Sequence, residues 1–201
     1  MQFDPQQLSE QAIYKLLAGS VVPRPIAWVT TIAPDGAVNA APYSFFNVMA
    51  SEPPLLGFAV SEKSGRKKDT MANVQATGEF VVNIVPTDLA EPMNQTAAEY
   101  APGVNELEQV GLATVPGVRV KAPRIAASPV HLECELRQII DLGANYQWVV
   151  GQVVLFHVAD HLLMERGRID IAQLAPLGRL VGNAYVRGGE RFELTRKPPT
   201  P

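Results

Sequence analysis

Two groups of residues between Val22 and Val85 have the types and spacing to do chemistry together. The first is Pro42-Tyr43-Ser44-Phe45-Phe46-Asn47, which sets hydrogen-bonding groups beside flat aromatic surface. The second is Arg66-Lys67-Lys68-Asp69-Thr70, a basic run leading straight into a helix start. The first N–H groups of a helix lack intrahelical partners and lie at the positive end of its dipole, so they favour an anion. Together the two groups suit a ligand that is planar at one end and phosphorylated at the other. Flavin mononucleotide (FMN) is such a ligand.

At the phosphate end the candidates are Thr70 and the amides after Asp69, with Arg66 and Lys68 adding charge. Charge-assisted hydrogen bonds contribute about 1.5–3 kcal/mol each. Two or three would supply much of the ~8 kcal/mol of a micromolar complex. Asp69, itself an anion, is expected to turn into the helix cap and away from the phosphate. At the ring end, Ser44 and Asn47, with backbone groups around Thr30, Thr31 and Ser61, are candidates for a polar heterocycle edge. Tyr43, Phe45 and Phe46 are candidates for its faces, although successive side chains of an extended chain point oppositely, which turns one of the two phenylalanines into the core. Arg24, held extended between Pro23 and Pro25, is a candidate for a phosphate or a carboxylate. Arg179 and Tyr185 are weaker candidates that equally suit a partner subunit. The bland alternative is a solvated basic loop beside a packed aromatic turn.

The chain holds no G-x-G-x-x-G, Walker A, G-x-S-x-G or H-E-x-x-H pattern. Its histidines, His131, His157 and His161, form no metal-binding motif, and no metal site is expected. No nucleophile and base stand together, so no catalytic side chain is assigned; that suits chemistry carried by a cofactor. The single cysteine, Cys134, excludes an internal disulfide and a zinc site built on several thiolates. A net charge of −3 leaves no footprint for nucleic acid. No apolar run is long enough for a membrane span, and the stretch Met1 to Glu10 is polar and acidic, unlike a signal peptide. A cytoplasmic enzyme is the default expectation.

The elements that must position these residues are short, because seventeen prolines and fifteen glycines interrupt the chain. Helical spacing predicts an N-terminal arm over residues 6–18, closed by Gly19. Ile26 to Ile32 reads as a strand that returns through the turn Pro34-Asp35-Gly36. A loop ending at Pro53-Pro54 precedes a buried strand from Leu55 to Val60, and Asp69 caps a helix that Gly78 stops. Glu79 to Val85 is a strand, Asp88 to Ala98 a helix, and Tyr100 to Val115 irregular with a short helix near Glu106. Val130 to Ile140 and Trp148 to Val158 are long strands joined through Gly143 and Asn145. Leu177 to Arg187 reads as one further strand, and Lys197 to Pro201 as a disordered tail. Strands outnumber helices without alternating with them, so the expectation is one domain over 1–201, mostly β with helical inserts, built as an antiparallel barrel.

On these residues the chain resembles the flavin reductase-like, FMN-binding split-barrel family of flavoprotein oxygenase-like and flavoredoxin-like proteins. The resemblance is carried by V-P-R-P-I-A-W-V-T-T from Val22, N-A-A-P-Y-S-F-F-N from Asn39, K-D-T from Lys68 and G-E-F-V-V-N from Gly78. Later segments, G-Q-V-V-L-F-H-V from Gly151 and P-L-G-R-L-V-G-N-A-Y from Pro176, extend it over nearly the whole chain. It implies a Greek-key split β-barrel, a homodimer with FMN near the subunit interface, and ligand roles for Thr30, Thr31, Ser44, Asn47, Ser61, Lys68 and Thr70, with Arg24 and Arg66 following. It further implies an oxidoreductase that takes electrons from NADH or NADPH and passes them to free flavin, an oxygenase or another redox partner. The alternative is a flavoredoxin-like electron carrier without direct nicotinamide turnover. Reductase partners of oxygenases in the wider family carry a histidine five residues before the glycine of the late strand, and this chain has Tyr146 there. Another planar anion, such as pyridoxal phosphate or haem, is a third reading.

Overall fold

The computed structural model describes residues 1–62, 67–188 and 192–195. In chain order the elements are α1 (Glu10–Ser20), β1 (Ala27–Ile32), β2 (Val38–Tyr43), β3 (Phe46–Ser51), β4 (Pro54–Ser61), α2 (Asp69–Thr77), β5 (Glu79–Ile84), α3 (Ala90–Gln95) and α4 (Glu106–Gln109). They continue with β6 (Thr114–Val115), β7 (Arg124–Ile125), β8 (Val130–Gly143), β9 (Tyr146–Val158), α5 (Ile171–Leu174), β10 (Gly178–Arg179) and β11 (Tyr185–Val186). Seven strands form one sheet in the order β2-β1-β5-β8-β9-β4-β3, every neighbour antiparallel.

The two edges of this sheet are consecutive in the chain. β2 ends at Tyr43, a turn passes through Ser44 and Phe45, and β3 begins at Phe46. Tyr43 and Phe46 nevertheless enter the same core, with Val29, Phe58, Phe80, Val82, Cys134 and Val149. A sheet whose opposite edges share one core has curled around it, and the unpaired edges are the split in the barrel. Bulges in β8 at Glu133/Cys134, Leu136/Gln138 and Asp141/Gly143 supply the curl. Phe58 and Phe80 are fully buried, with their ring centroids 5.4 Å apart edge to face. Each such ring removes ~150–250 Å² from water, an upper figure of about 4–6 kcal/mol. Met71 and Val74 of α2 close the same core.

The other face of β1 carries Trp28, which packs with Leu89, Met93, Leu107 and Ile125 beneath α3 and α4. Its indole Nε1 donates to Thr96 Oγ1 at 2.9 Å. β1 is therefore buried on both faces, which is why it reads as an almost continuous apolar and β-branched run. Pro42 is tolerated in β2 because that strand lies at a sheet edge.

Several expectations shift. The N-terminal helix begins later, where the Ser9 hydroxyl accepts from Ala12 N, and Gly19 lies inside it. Residues 42–47 are no loop but the end of β2, a turn and the start of β3, and β3 returns through Glu52-Pro53 as a tight hairpin with β4. Asp69 is not the cap of α2; Lys68 holds that position, while Gly78 closes the helix with φ 71° as expected. The segment from Leu177 is two short strands, β10 and β11, paired as a hairpin. The β8–β9 connection is tighter than a glycine turn, with Ala144 and Asn145 both at positive φ. The expected disordered tail from Lys197 lies outside the described residues.

Candidate functional site

A cavity of ≈ 340 Å³ opens between the free edge of β2, the first turn of α2 and the segment after α3. Asn39 and Tyr43 come from β2, Lys68 to Thr70 from the helix start, and Thr96, Glu99, Tyr100 and Glu106 from the far wall. Lys68, at the N-cap, makes no side-chain cap hydrogen bond, and the first turn of α2 lines this space. The Asp69 carboxylate, on the wall of the cavity, accepts from Gly103 N at 3.1 Å. Lys68 Nζ lies 5.4 Å from the centre of the Tyr43 ring.

Tyr43 is 5% exposed and its hydroxyl makes no hydrogen bond of ordinary geometry. Burial drives the phenol far above its usual range; the nearby Thr70 hydroxyl partly offsets this, and the Glu106 and Asp69 carboxylates add to it. Tyr43 is thus a protonated donor at every working pH. A buried hydroxyl without a partner costs about 1–3 kcal/mol, and the Thr70 hydroxyl is the polar group beside it.

Behind the cavity runs a polar chain. Glu106 accepts from Ala40 N at 2.8 Å and from Asn39 Nδ2 at 2.6 Å. Asn39 Oδ1 accepts from the Thr70 hydroxyl at 2.6 Å and, more weakly, from Thr31 Oγ1 at 3.4 Å. Thr31 in turn accepts from Asn73 Nδ2 at 3.0 Å. Burial raises the Glu106 carboxyl above its ordinary range, opposed by the Ala40 amide and Asn39 and reinforced by Asp69.

Of the residues singled out in the sequence, Tyr43, Lys68, Asp69 and Thr70 meet in this cavity. Thr30 and Thr31 do not reach it as ligands. Thr30 is paired by the sheet on both sides, to Ala40 and Val81, and its hydroxyl donates to Pro123 O. Thr31 sits in the second layer behind Asn39. Phe46 packs in the barrel core. Ser44 is half-buried in the β2–β3 turn, Ser61 ends β4, and the exposed Asn47 accepts from Val48 N. Arg24 lies outside this cavity: its Nη groups donate to the carbonyls of Ala18, Val21 and Leu180, while its buried Nε has no partner. Arg179 stacks on Tyr185 at 4.3 Å, and the Tyr185 hydroxyl donates to Asn94. Arg66 lies outside the described residues. Sequence reasoning missed Asn39, Thr96, Tyr100 and Glu106. Only Asn39 carried a signal, as the first residue of the N-A-A-P-Y-S-F-F-N segment.

The sequence model of the flavin reductase-like domain family matches residues 18–173. The chain is 43% identical over 200 residues to YwrF of Bacillus subtilis, an uncharacterised protein, across 96% of this chain and 98% of that one. Among solved structures, nitrilotriacetate monooxygenase component B from Bacillus cereus superposes with a TM-score of 0.93 at 39% identity, covering 96% of this chain and 98% of the other. The Pseudomonas fluorescens 2-nitrobenzoate 2-nitroreductase NbaA superposes with a TM-score of 0.92 at 36% identity, covering 100% and 98%.

Proposed function

We propose that this chain, which belongs to the flavin reductase-like domain family, binds FMN and passes electrons from NADH or NADPH through it to a downstream acceptor. The observation that carries this reading is the cavity at the first turn of α2, where Lys68 and Thr70 stand beside Tyr43. A phosphate monoester is the group that the helix start suits: the first turn of α2 and the Lys68 ammonium stand together there. The residues present therefore fit a flavin nucleotide. Lys68 and the amides of residues 69–71 hold its phosphate, and Ser44, Asn47 and Ser61 are the proposed contacts for the ring's polar edge. When bound, FMN supplies hydride acceptance and onward electron transfer. The chain's own part is binding, orientation and exclusion of water.

An oxygenase component is the proposed acceptor, by likeness to the Bacillus cereus monooxygenase component B. A homodimer is proposed as well, supported by exposed Met49, Ile140 and Leu142. A second reading has one observation behind it. Tyr146 stands where reductases of the wider family carry a histidine, and it pairs with Ser61 across β9 and β4, which favours an electron carrier without nicotinamide turnover.

Incubation of the purified protein with FMN, followed by desalting, tests the first statement. Retention of the flavin absorption band is expected, and a colourless product would end the reading. Changing Lys68 to Ala should weaken FMN about tenfold, the loss of one charge-assisted bond. Anaerobic mixing of the yellow protein with NADH separates the two readings. Rapid bleaching supports the reductase, and persistence of the band supports the carrier.

A further inference from the structure

A second cavity, of ≈ 480 Å³, lies between the chain entering β1, the end of β5 and the β10–β11 hairpin, and it shares no lining residue with the first. Its walls include Pro23, Pro25, Ile26, Ile84, Val85 and Pro176. Three of these are prolines, which carry no N–H. The amides of Arg24 and Leu177, also on the lining, are already given to Arg179 O and Val85 O, each at 2.9 Å. The cavity therefore offers a ligand apolar surface and few backbone donors. Its charged groups are Arg24 and Arg187, and no carboxylate lines it among the described residues.

Arg24 is 5% exposed, so its charge is held inside the fold. Its Nη groups donate to the carbonyls of Ala18, Val21 and Leu180, and the guanidinium carbon lies 5.7 Å from the centre of the Phe45 ring. Carbonyls and an aromatic face supply only partial negative charge. Among the described residues no carboxylate pairs with this guanidinium. Buried charges are ordinarily paired, and the covered Nε donates to nothing. Arg24 thus acts on the cavity through its charge, without needing to touch a ligand. Arg187 is exposed on the same lining, where its planar fork suits a carboxylate.

We propose that this cavity binds a small organic monoanion, a carboxylate carried on an apolar ring or branched chain. The apolar body packs against the prolines and aliphatic side chains, and the carboxylate bonds Arg187 in the positive field of Arg24. A sugar or a nucleotide is a poor match, because the lining holds no hydroxyl, lysine or helix start. The inference stands apart from the FMN reading, since it uses a different cavity.

The test titrates the full-length protein with cyclohexanecarboxylate, cyclohexanecarboxamide and acetate, followed by the methyl resonances of Ile26, Ile84, Val85 and Val186. Cyclohexanecarboxylate should bind with Kd of about 1 mM or tighter. The neutral amide and the bodiless acetate should each bind about tenfold more weakly. Arg187→Gln should cost the carboxylate about tenfold and leave the amide unchanged. Arg24→Lys, which keeps the charge, should stay within about threefold of wild type, whereas Arg24→Gln should lose about tenfold. Val186→Trp, which fills the cavity, should abolish binding. Equal affinity for the carboxylate and its amide overturns the proposal, as does wild-type affinity in Arg187→Gln or in Val186→Trp. Equal losses in Arg24→Lys and Arg24→Gln overturn the part given to charge. If Arg24→Gln does not fold, Arg187→Gln and the comparison of carboxylate with amide still decide. Saturating FMN should leave the carboxylate bound; its displacement would make this cavity part of the flavin site and overturn the inference. A protein that binds no FMN yet keeps the carboxylate loses the flavin reading alone.

Discussion

Asn83 shows how single side chains in this protein settle the protonation of their neighbours. Its Nδ2 donates to Trp28 O at 2.9 Å and Thr30 Oγ1 at 3.1 Å, so its Oδ1 is the acceptor. That oxygen receives Ile125 N and His131 Nδ1, both at 2.9 Å, which assigns the proton of neutral His131 to Nδ1. Burial, with Arg124 and His157 nearby, lowers the His131 pKa from 6.5 to about 4, against a smaller pull from Glu133. The folded state therefore binds fewer protons than the unfolded chain between these values, and stability falls as pH drops through that window. The full difference amounts to about 3 kcal/mol at most. Glu133 acts lower: burial alone would raise its carboxyl, but the amides of Val118, Arg119 and Val120 and the His157 ring outweigh burial and hold it below its usual range. Its contribution is present above the unfolded carboxylate value and is lost as pH falls through the folded one. Denaturant unfolding of wild type and His131→Gln from pH 7 to pH 4 should show the slope between about 6.5 and 4 diminished in the variant. Equal slopes would remove His131 from this account.

At the scale of elements, the glycine of β9 decides how closely the sheet wraps its core. A Cβ built on Gly151 would lie 2.2 Å from Phe80 Cζ and 3.3 Å from Cys134 Cβ. Phe80 is fully buried against Phe58 and has nowhere to retreat. Gly151→Ala should therefore cost about 1–3 kcal/mol and lower Tm by roughly 2–12 °C, read by calorimetry. An unchanged Tm would mean that the β8–β9 ribbon shifts freely over the core. The start of α2 carries the same lesson for function. With Lys68 as cap and Asp69 bonded to Gly103, the first turn of the helix lines the cavity while its acid is engaged by a backbone amide.

For the molecule as a whole, the apolar residues left outside matter most. Val48 is 71% exposed, Leu142 56%, Met49 47% and Ile140 36%. They lie on strands whose registers set Ile140 beside Trp148, while the Trp148 indole reaches Met49 Sδ at 3.4 Å. The strip formed by Ile140, Trp148 and Met49 is what a second copy of the chain would cover. Sedimentation velocity at micromolar concentration should give a dimer, and Leu142→Asp with Met49→Asp should shift it to monomer. A wild type that sediments as monomer would remove the proposal. Among the described residues, no helix is long and apolar enough to cross a membrane.

The sequence by itself determined the strands and their class. Periodicity, β-branched runs and turn residues are local properties, and they sufficed for β1, β4, β5, β8, β9, the Gly78 stop and the cavity's cationic lip at Lys68. It also determined the family, through motifs whose order matters more than any one of them. What only the tertiary structure decided is which of the polar residues are available. Thr30 and Thr31 have the right chemistry, but their hydroxyl protons go to Pro123 O and to Asn39 Oδ1. Glu106 is far from Asn39 in the chain and carries no signal, yet it accepts from the Asn39 amide at the cavity wall. Availability of a donor depends on partners brought together across long sequence separations, and no local pattern encodes it.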